Sequence, residues 1–182
     1  APRRTDLAYL ARWFAVPLGL TLVVDLITKG VIFRFQTVAA AQAYFGQHPW
    51  IRPHINTGAA WSMGGDHPGL IAALTVALIP ILAFTWWRWF RGTSVLEDLA
   101  FGCILGGALG NAVDRIHAML PSGGYGGVRD FIWVDLNMVG INYIWPTFNI
   151  ADVGISIGFV ALVLTSFRSK TPPTDSPSVP ST

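Results

Sequence analysis

An all-α integral membrane protein with four transmembrane helices is the fold class this chain predicts, and three observations carry that prediction. Of the 182 residues, 52% are hydrophobic and only 12% are charged, where an ordinary soluble domain carries about 25% charged residues. The mean hydropathy is +0.49. The apolar residues gather into four runs, each near the ~20 residues a helix needs to cross a bilayer.

The first run, 13–33, follows Arg3, Arg4 and Arg12. Its small-residue triplets, Ala39-Ala40-Ala41 and Ala41-Gln42-Ala43, lie too far past it for a cleaved leader, so an uncleaved span is expected. The second run, 70–89, ends in Trp86, Trp87 and Trp89 beside Arg88 and Arg91, an interfacial aromatic belt with a basic flank. The third covers 95–113 and the fourth 150–167, before Arg168 and Lys170. Residues 1–170 form a single domain on this reading. Residues 171–182 hold Pro, Ser and Thr with one Asp and are expected to be disordered.

Four spans put both termini on one side. The basic residues at those ends and in the 88–92 loop make that side cytoplasmic by the positive-inside tendency. Two long connections, 31–69 and 114–149, then fall on the opposite face. Connections of that length are usually functional or folded. The first is expected to hold short strands near Val31–Phe35 and Pro53–Ser62. The second is expected to be loop and short helix, with Gly123-Gly124-Tyr125-Gly126-Gly127 as a flexible lead into Asp130. Gly102, Gly106 and Gly110 form one small-residue stripe, and Gly154 and Gly158 another. Such stripes let helices approach closely in lipid. Packing through them would bring Asn111 and Asp114 near the start of the last helix.

The net charge of +2 is dispersed over span ends, which gives no nucleic-acid surface. The lone Cys103 sits in an apolar run and forms no internal disulfide. His48, His54, His67 and His117 are scattered, without zinc spacing. Neither a Gly-x-Ser-x-Gly elbow nor a phosphate loop occurs. Neither a metal nor another cofactor is expected.

Acids at membrane depth cost at least about 2.5–3.5 kcal/mol each, so they are functional candidates. Asp130 and Asp152 both border apolar stretches. Two carboxylates about 4 Å apart at an effective dielectric of about 20 repel by ~4 kcal/mol, about three pKa units. One then keeps a proton while the other is charged, a pair suited to acid–base peptide hydrolysis. Plainer roles stand beside this one. Asn149 and Asp152 have the spacing of a helix capping box. Asp130 can pair with Arg129 in a solvated loop, and Asp135 is a second acid in the same connection. Asp25 and Lys29, four apart, can form a structural ion pair. Asn111, Asp114 and Arg115 can be ordinary helix-end polarity or can hold a loop or a substrate backbone. A proton-coupled transporter and a non-catalytic scaffold are the competing classes.

Five segments together resemble the lipoprotein signal peptidase family (signal peptidase II). They are Asp25-Leu26-Ile27-Thr28-Lys29, Asn56-Thr57-Gly58-Ala59-Ala60-Trp61-Ser62, the stretch from Gly106 to Arg115, Val128-Arg129-Asp130-Phe131-Ile132, and Phe148-Asn149-Ile150-Ala151-Asp152. The resemblance implies an aspartyl endopeptidase of the bacterial inner membrane; membrane lipids are expected partners, a monomer is the expected state, and the site is expected at the periplasmic face. Its substrate would be a prolipoprotein, cut just before the diacylglyceryl-modified cysteine. The resemblance also implies Asp130 and Asp152 as the catalytic pair, and Asn56, Gly58, Asn111, Asp114, Arg115, Asn149, Asp25 and Lys29 as substrate-binding or supporting residues. Leu26, Trp61 and the Gly-rich 116–129 connection depart from the family pattern.

Overall fold

The structure, a computed structural model, describes residues 6–58, 64–120 and 125–167. Its long apolar runs are helical because a backbone in lipid must satisfy its own N–H and C=O groups. In chain order the elements are helix α1 (Leu7–Ile32), helix α2 (Val38–Phe45), strand β1 (Ile51–Asn56), and helices α3 (Pro68–Phe90) and α4 (Val95–Met119). Strand β2 (Val128–Asp135), a 3-10 turn (Leu136–Val139), strand β3 (Ile144–Phe148) and helix α5 (Ile150–Ser166) follow. α1, α3 and α4 are long and apolar enough to cross a membrane, and α5 is a shorter apolar helix of 17 residues. The tail 171–182, the charges Arg3, Arg4, Arg168 and Lys170, and Trp61 lie outside the described residues.

Local chemistry sets the helix starts. Asp6 Oδ1 accepts from Tyr9 N (2.8 Å) before α1, and Thr37 Oγ1 accepts from Ala40 N (3.1 Å) before α2. Pro68 opens α3, where a missing N–H costs nothing. The strand expected at Val31–Phe35 does not form. α1 continues through Ile32, with Phe33 N still donating to Lys29 O (3.0 Å), and the Thr37 cap then opens α2. Helical continuation and a cap outweigh the β-branched Val31 and Ile32. The strand expected at Pro53–Ser62 runs instead over Ile51–Asn56, and 59–62 lie outside the described residues.

The 114–149 connection also departs from expectation. α4 runs on to Met119, and the rest holds two strands beside its short helical turn. β2 is the centre of an antiparallel sheet ordered β1-β2-β3. His54 pairs with Asp130, Asn56 with Val128, and Ile132 with Phe148. Phe131 turns into an apolar cluster with Ile32 and Phe33 at the C-terminal end of α1. Tyr125 clamps that end: its hydroxyl lies 2.8 Å from the Phe35 carbonyl.

α4 is the axis of the bundle. Its apolar window is 67% buried, against 22% for α1 and 6% for α3. The glycine stripe on α4 faces α1. A Cβ on Gly102 would sit 2.6 Å from Phe14 O, and one on Gly106 2.5 Å from Leu18 O. The α4–α5 contact uses Gly107, against the Ala151 carbonyl, and Gly158, whose Cβ would meet Ala100 O at 2.5 Å. Gly154 lies over Thr21 of α1. One glycine-bearing helix therefore seats two partners on different faces.

At the far end of α4 from Asn111, about 20 Å along the axis at 1.5 Å per residue, Asp98 is wholly buried. It accepts from Trp86 Nε1 (2.7 Å), Tyr9 Oη (3.0 Å) and Gly92 N (3.2 Å). π-helical turns at Ala11–Ala15 and Trp86–Phe90 bring Phe14 and Trp86 into a stack with centroids 3.5 Å apart. Asp98 thus ties three segments together at the end that carries Arg12, Arg88 and Arg91.

Gly106→Ala should destabilise the bundle by about 1–3 kcal/mol through overpacking against α1. Gly19→Ala, with nothing within 4 Å of the added carbon, should be neutral or slightly stabilising. Thermal unfolding of the two variants in detergent checks the difference.

Candidate active site

α4 supplies Asn111, Asp114 and Arg115 from its C-terminal turns, and β2 supplies Asp130 from the middle of the sheet. The first turn of α5 supplies Asp152, α1 supplies Asp25 and Lys29, and the end of β1 supplies Asn56. The sheet edge and three helix ends therefore converge on one place. Asp130 is 1% exposed, so the solvated-loop alternative fails. Arg129 does not pair with it: the Arg129 Nη2 and Nε lie 2.7 and 3.0 Å from Asp114 Oδ1, because neighbouring strand residues point to opposite faces.

The two acids that border the apolar stretches meet through Asn149. Asn149 Nδ2 donates to Asp130 Oδ1 (2.7 Å), and Asn149 N donates to Asp152 Oδ2 (3.1 Å). Asn149 Oδ1 accepts from Asp152 N (3.0 Å), which completes the expected capping box. The cap and the carboxylate pair are one construction. Asn111 Nδ2 donates to Asp152 Oδ1 (2.8 Å), and Asn56 Nδ2 donates to Asp130 Oδ2 (3.2 Å). Each of the four carboxylate oxygens thus receives one N–H.

Behind this pair sits a buried ion cluster. Lys29 Nζ lies 2.7 Å from Asp25 Oδ2 and 3.1 Å from Asp114 Oδ2, and it donates to Asn111 Oδ1 (3.1 Å). Asp25 Oδ1 accepts from Ala151 N (2.9 Å) at the start of α5. Lys29 and Asp25 are both fully buried, deeper than an interfacial ion pair would be. Asp25 and Asp114 are matched in charge by Lys29 and Arg129. Arg115, whose Nη2 donates to Gly58 O (2.9 Å), is then the one cation left to face Asp130 and Asp152 among the described residues. One cation against two carboxylates leaves room for one proton. Burial first, and then the Asp152 charge, push the Asp130 carboxyl up to about 7, against the opposing pull of its Asn56 and Asn149 hydrogen bonds and of the Lys29 charge.

The pair forms the floor of a cleft of about 460 Å³. Its polar floor is Asn56, Asn111, Arg115, Asp130 and Asp152. Its walls are Thr75 and Leu78 of α3, Trp145 to Phe148 of β3, and Ile155 and Ser156 of α5. Two apolar helices, α3 and α5, therefore wall the cleft. The sequence reading missed the β3 and α3 walls, since nothing distinguishes one Leu or Thr on an apolar helix from the next. Asp135 lies away from the cleft and accepts from Asn137 N (2.9 Å) at the 3-10 turn. No group of three or more metal-ligating side chains occurs among the described residues.

Residues 18–168 match the family profile described as signal peptidase (SPase) II. A lipoprotein signal peptidase of Rhodopseudomonas palustris (strain TIE-1) is 39% identical over 113 residues, which is 61% of this chain and 64% of that protein. The first relatives are thus matched over less than two thirds of their length. A lipoprotein signal peptidase of Pseudomonas fluorescens is 34% identical over 166 residues, 87% of this chain and 88% of that protein. A solved bacterial membrane enzyme shares the fold at a TM-score of 0.71, with 21% identity over 97% of this chain and 98% of that one.

A carboxyl held protonated in the fold above its unfolded value gives stability that is fully present below the unfolded value and lost as pH rises through the folded one. For Asp130 that window runs from 3.8 to about 7. The thermal midpoint of Asp130→Asn minus that of the parent should therefore rise between those pH values and level off above them, as measured by melting in detergent.

Proposed function

The chain belongs to the signal peptidase II family, and from that premise we propose that it is an aspartic endopeptidase of a bacterial inner membrane that removes signal peptides from prolipoproteins. The cut falls N-terminal to the diacylglyceryl-modified cysteine. One observation carries the mechanism: the buried Asp130 carboxyl and the half-buried Asp152 carboxyl share Asn149 as a hydrogen-bond partner and face a single unmatched cation among the described residues. Asp130, with its carboxyl up at about 7, holds the shared proton at rest and is the acid. Asp152 is charged and is the base.

In the reaction, Asp152 takes a proton from an attacking water while Asp130 hydrogen-bonds the peptide carbonyl oxygen. The C–O bond forms as the carbonyl π-bond opens and Asp130 passes its proton to the carbonyl oxygen, giving a neutral diol and leaving Asp130 charged. Its collapse breaks the C–N bond, and the proton gained by Asp152 goes to the departing amine. The hydroxyl proton returns to the pair. Arg115 opposes the charge that remains on the pair throughout. The apolar α3 and α5 walls of the cleft suit a substrate whose acyl chains stay in the bilayer. The transporter alternative is not favoured for a member of a peptidase family.

The chain crosses the membrane four times on this reading. α5 is about 25 Å long at 1.5 Å per residue, short of the ~30 Å hydrocarbon core, and local thinning covers the difference. Arg12, Arg88 and Arg91 lie at the end opposite the carboxyl pair, so that end is cytoplasmic and the pair works at the periplasmic face.

Asp130→Asn and Asp152→Asn should each lower kcat by at least about 100-fold, with folding intact, in a detergent assay on a lipidated prolipoprotein. Cleavage by both at the parent rate would end the aspartic reading. Parent activity should fall as pH rises through about 7, as the Asp130 proton leaves. A profile flat to pH ~10 in folded enzyme would contradict the shared proton.

A further inference from the structure

The two ends of an asparagine amide have nearly the same shape, so a buried amide keeps one orientation only if its partners impose it. Three asparagines ring the carboxyl pair, and each has its oxygen held by a group that can only donate. Gly58 N holds Asn56 Oδ1 (3.0 Å), and Asp152 N holds Asn149 Oδ1 (3.0 Å). Both are backbone groups. The third is a side chain: Lys29 Nζ holds Asn111 Oδ1 (3.1 Å).

We propose that Lys29 is a positioning residue for the reaction, turning the Asn111 amide so that its Nδ2 points at Asp152 Oδ1 and holds that carboxylate as the base. The inference rests on the aspartic reading above. Asn149 Nδ2 also donates to Asn111 Oδ1 (3.0 Å), its other N–H going to Asp130 Oδ1 (2.7 Å), and so adds a neutral second donor to the same oxygen. Lys29 is the cationic donor, and it polarises the amide as well as orienting it. Without it, a turned amide would set oxygen against carboxylate oxygen.

The charged groups around Asn111 and Asp152 are Asp25 and Lys29 of α1, Asp114 and Arg115 of α4, and Arg129 and Asp130 of β2. His54 of β1 pairs with Asp130 in register and is exposed. Removing Lys29 alone would strand the Asp25 charge, so the test variant is Asp25→Asn with Lys29→Met. Asp114 keeps Arg129.

The readout is the pH profile of kcat on a lipidated prolipoprotein in detergent, with the melting temperature measured alongside. The acidic limb reports the base losing its charge. Loss of an oriented N–H should raise that limb by about one pH unit and lower kcat more than it raises KM. Asn111→Ala should raise the limb as much, and the triple variant no further, since both changes act through one amide. Lys29→Arg, another donor-only cation, should keep the parent limb. An unmoved limb in folded Asp25→Asn/Lys29→Met would overturn the proposal. So would failure of both Lys29 variants to fold, which would make the residue a structural tie alone. Asp130→Asn and Asp152→Asn run beside them: if these stay inactive while the limb does not move, only the Lys29 inference falls. If they cleave, the aspartic reading falls first.

Discussion

The hydrogen-bonded frame from Lys29 Nζ through the amides of Asn111 and Asn149 to the carboxylates of Asp152 and Asp130 is what the rest of this structure depends on. Buried polar groups are tolerable only when each finds a partner, because a lost partner costs about 1–3 kcal/mol and more for a charge. Here the partners come from four elements far apart in sequence. Asp25 and Lys29 pair within α1, yet Asp25 also takes the Ala151 N–H of α5 and Lys29 also takes Asn111 and Asp114 of α4, so each acts as a demand that the neighbouring helix be present. The frame is at once the assembly code of the outer bundle and the setting of the carboxyl pair.

That frame can close only if the helices approach closely. Gly110 makes the point: a Cβ there would lie 2.5 Å from Asp25 Oδ2. The missing side chain leaves the space in which Asp25 reaches both Lys29 and the backbone of Ala151. In lipid, where apolar expulsion does not drive helices together, close packing and polar contacts must. The glycine faces of α4 supply the first, and the ion cluster supplies the second. A similar device recurs at the opposite end, where buried Asp98 gathers Tyr9, Trp86 and Gly92. The bundle is pinned at both ends by carboxylates, and the end that holds Asp130 and Asp152 turns two of them into a cleft.

Asn149 and Asp152 carry a double duty that explains the economy of the site. A helix start needs an acceptor for its free N–H groups, and a hydrolytic pair needs a carboxylate held rigidly by donors. The capping box meets both needs with the same two residues. Capping the helix in this way also fixes Asp152, the base of the proposed mechanism, and the α5 start favours a negative charge there.

Much of this was legible in the chain itself. Low charge and four apolar runs of about 20 residues point to helices in lipid, because a single continuous apolar segment can satisfy its own backbone there only as a helix. Asp130 and Asp152 stand out because acids beside apolar runs are costly, and Asp25 and Lys29 because four residues is one helical turn. The Asn149–Asp152 spacing spells a cap. The strands β2 and β3 were not legible: Arg129, Asp130 and Asp135 break the apolar alternation, since the buried acid is satisfied by partners from α5 and β1 that local pattern does not contain. Arg129 likewise chose Asp114 over its sequence neighbour, which only strand pleating and the end of α4 could decide. Sequence determined which residues had to be satisfied. The tertiary structure decided by whom, because a hydrogen bond is settled by distance in space and not by distance along the chain.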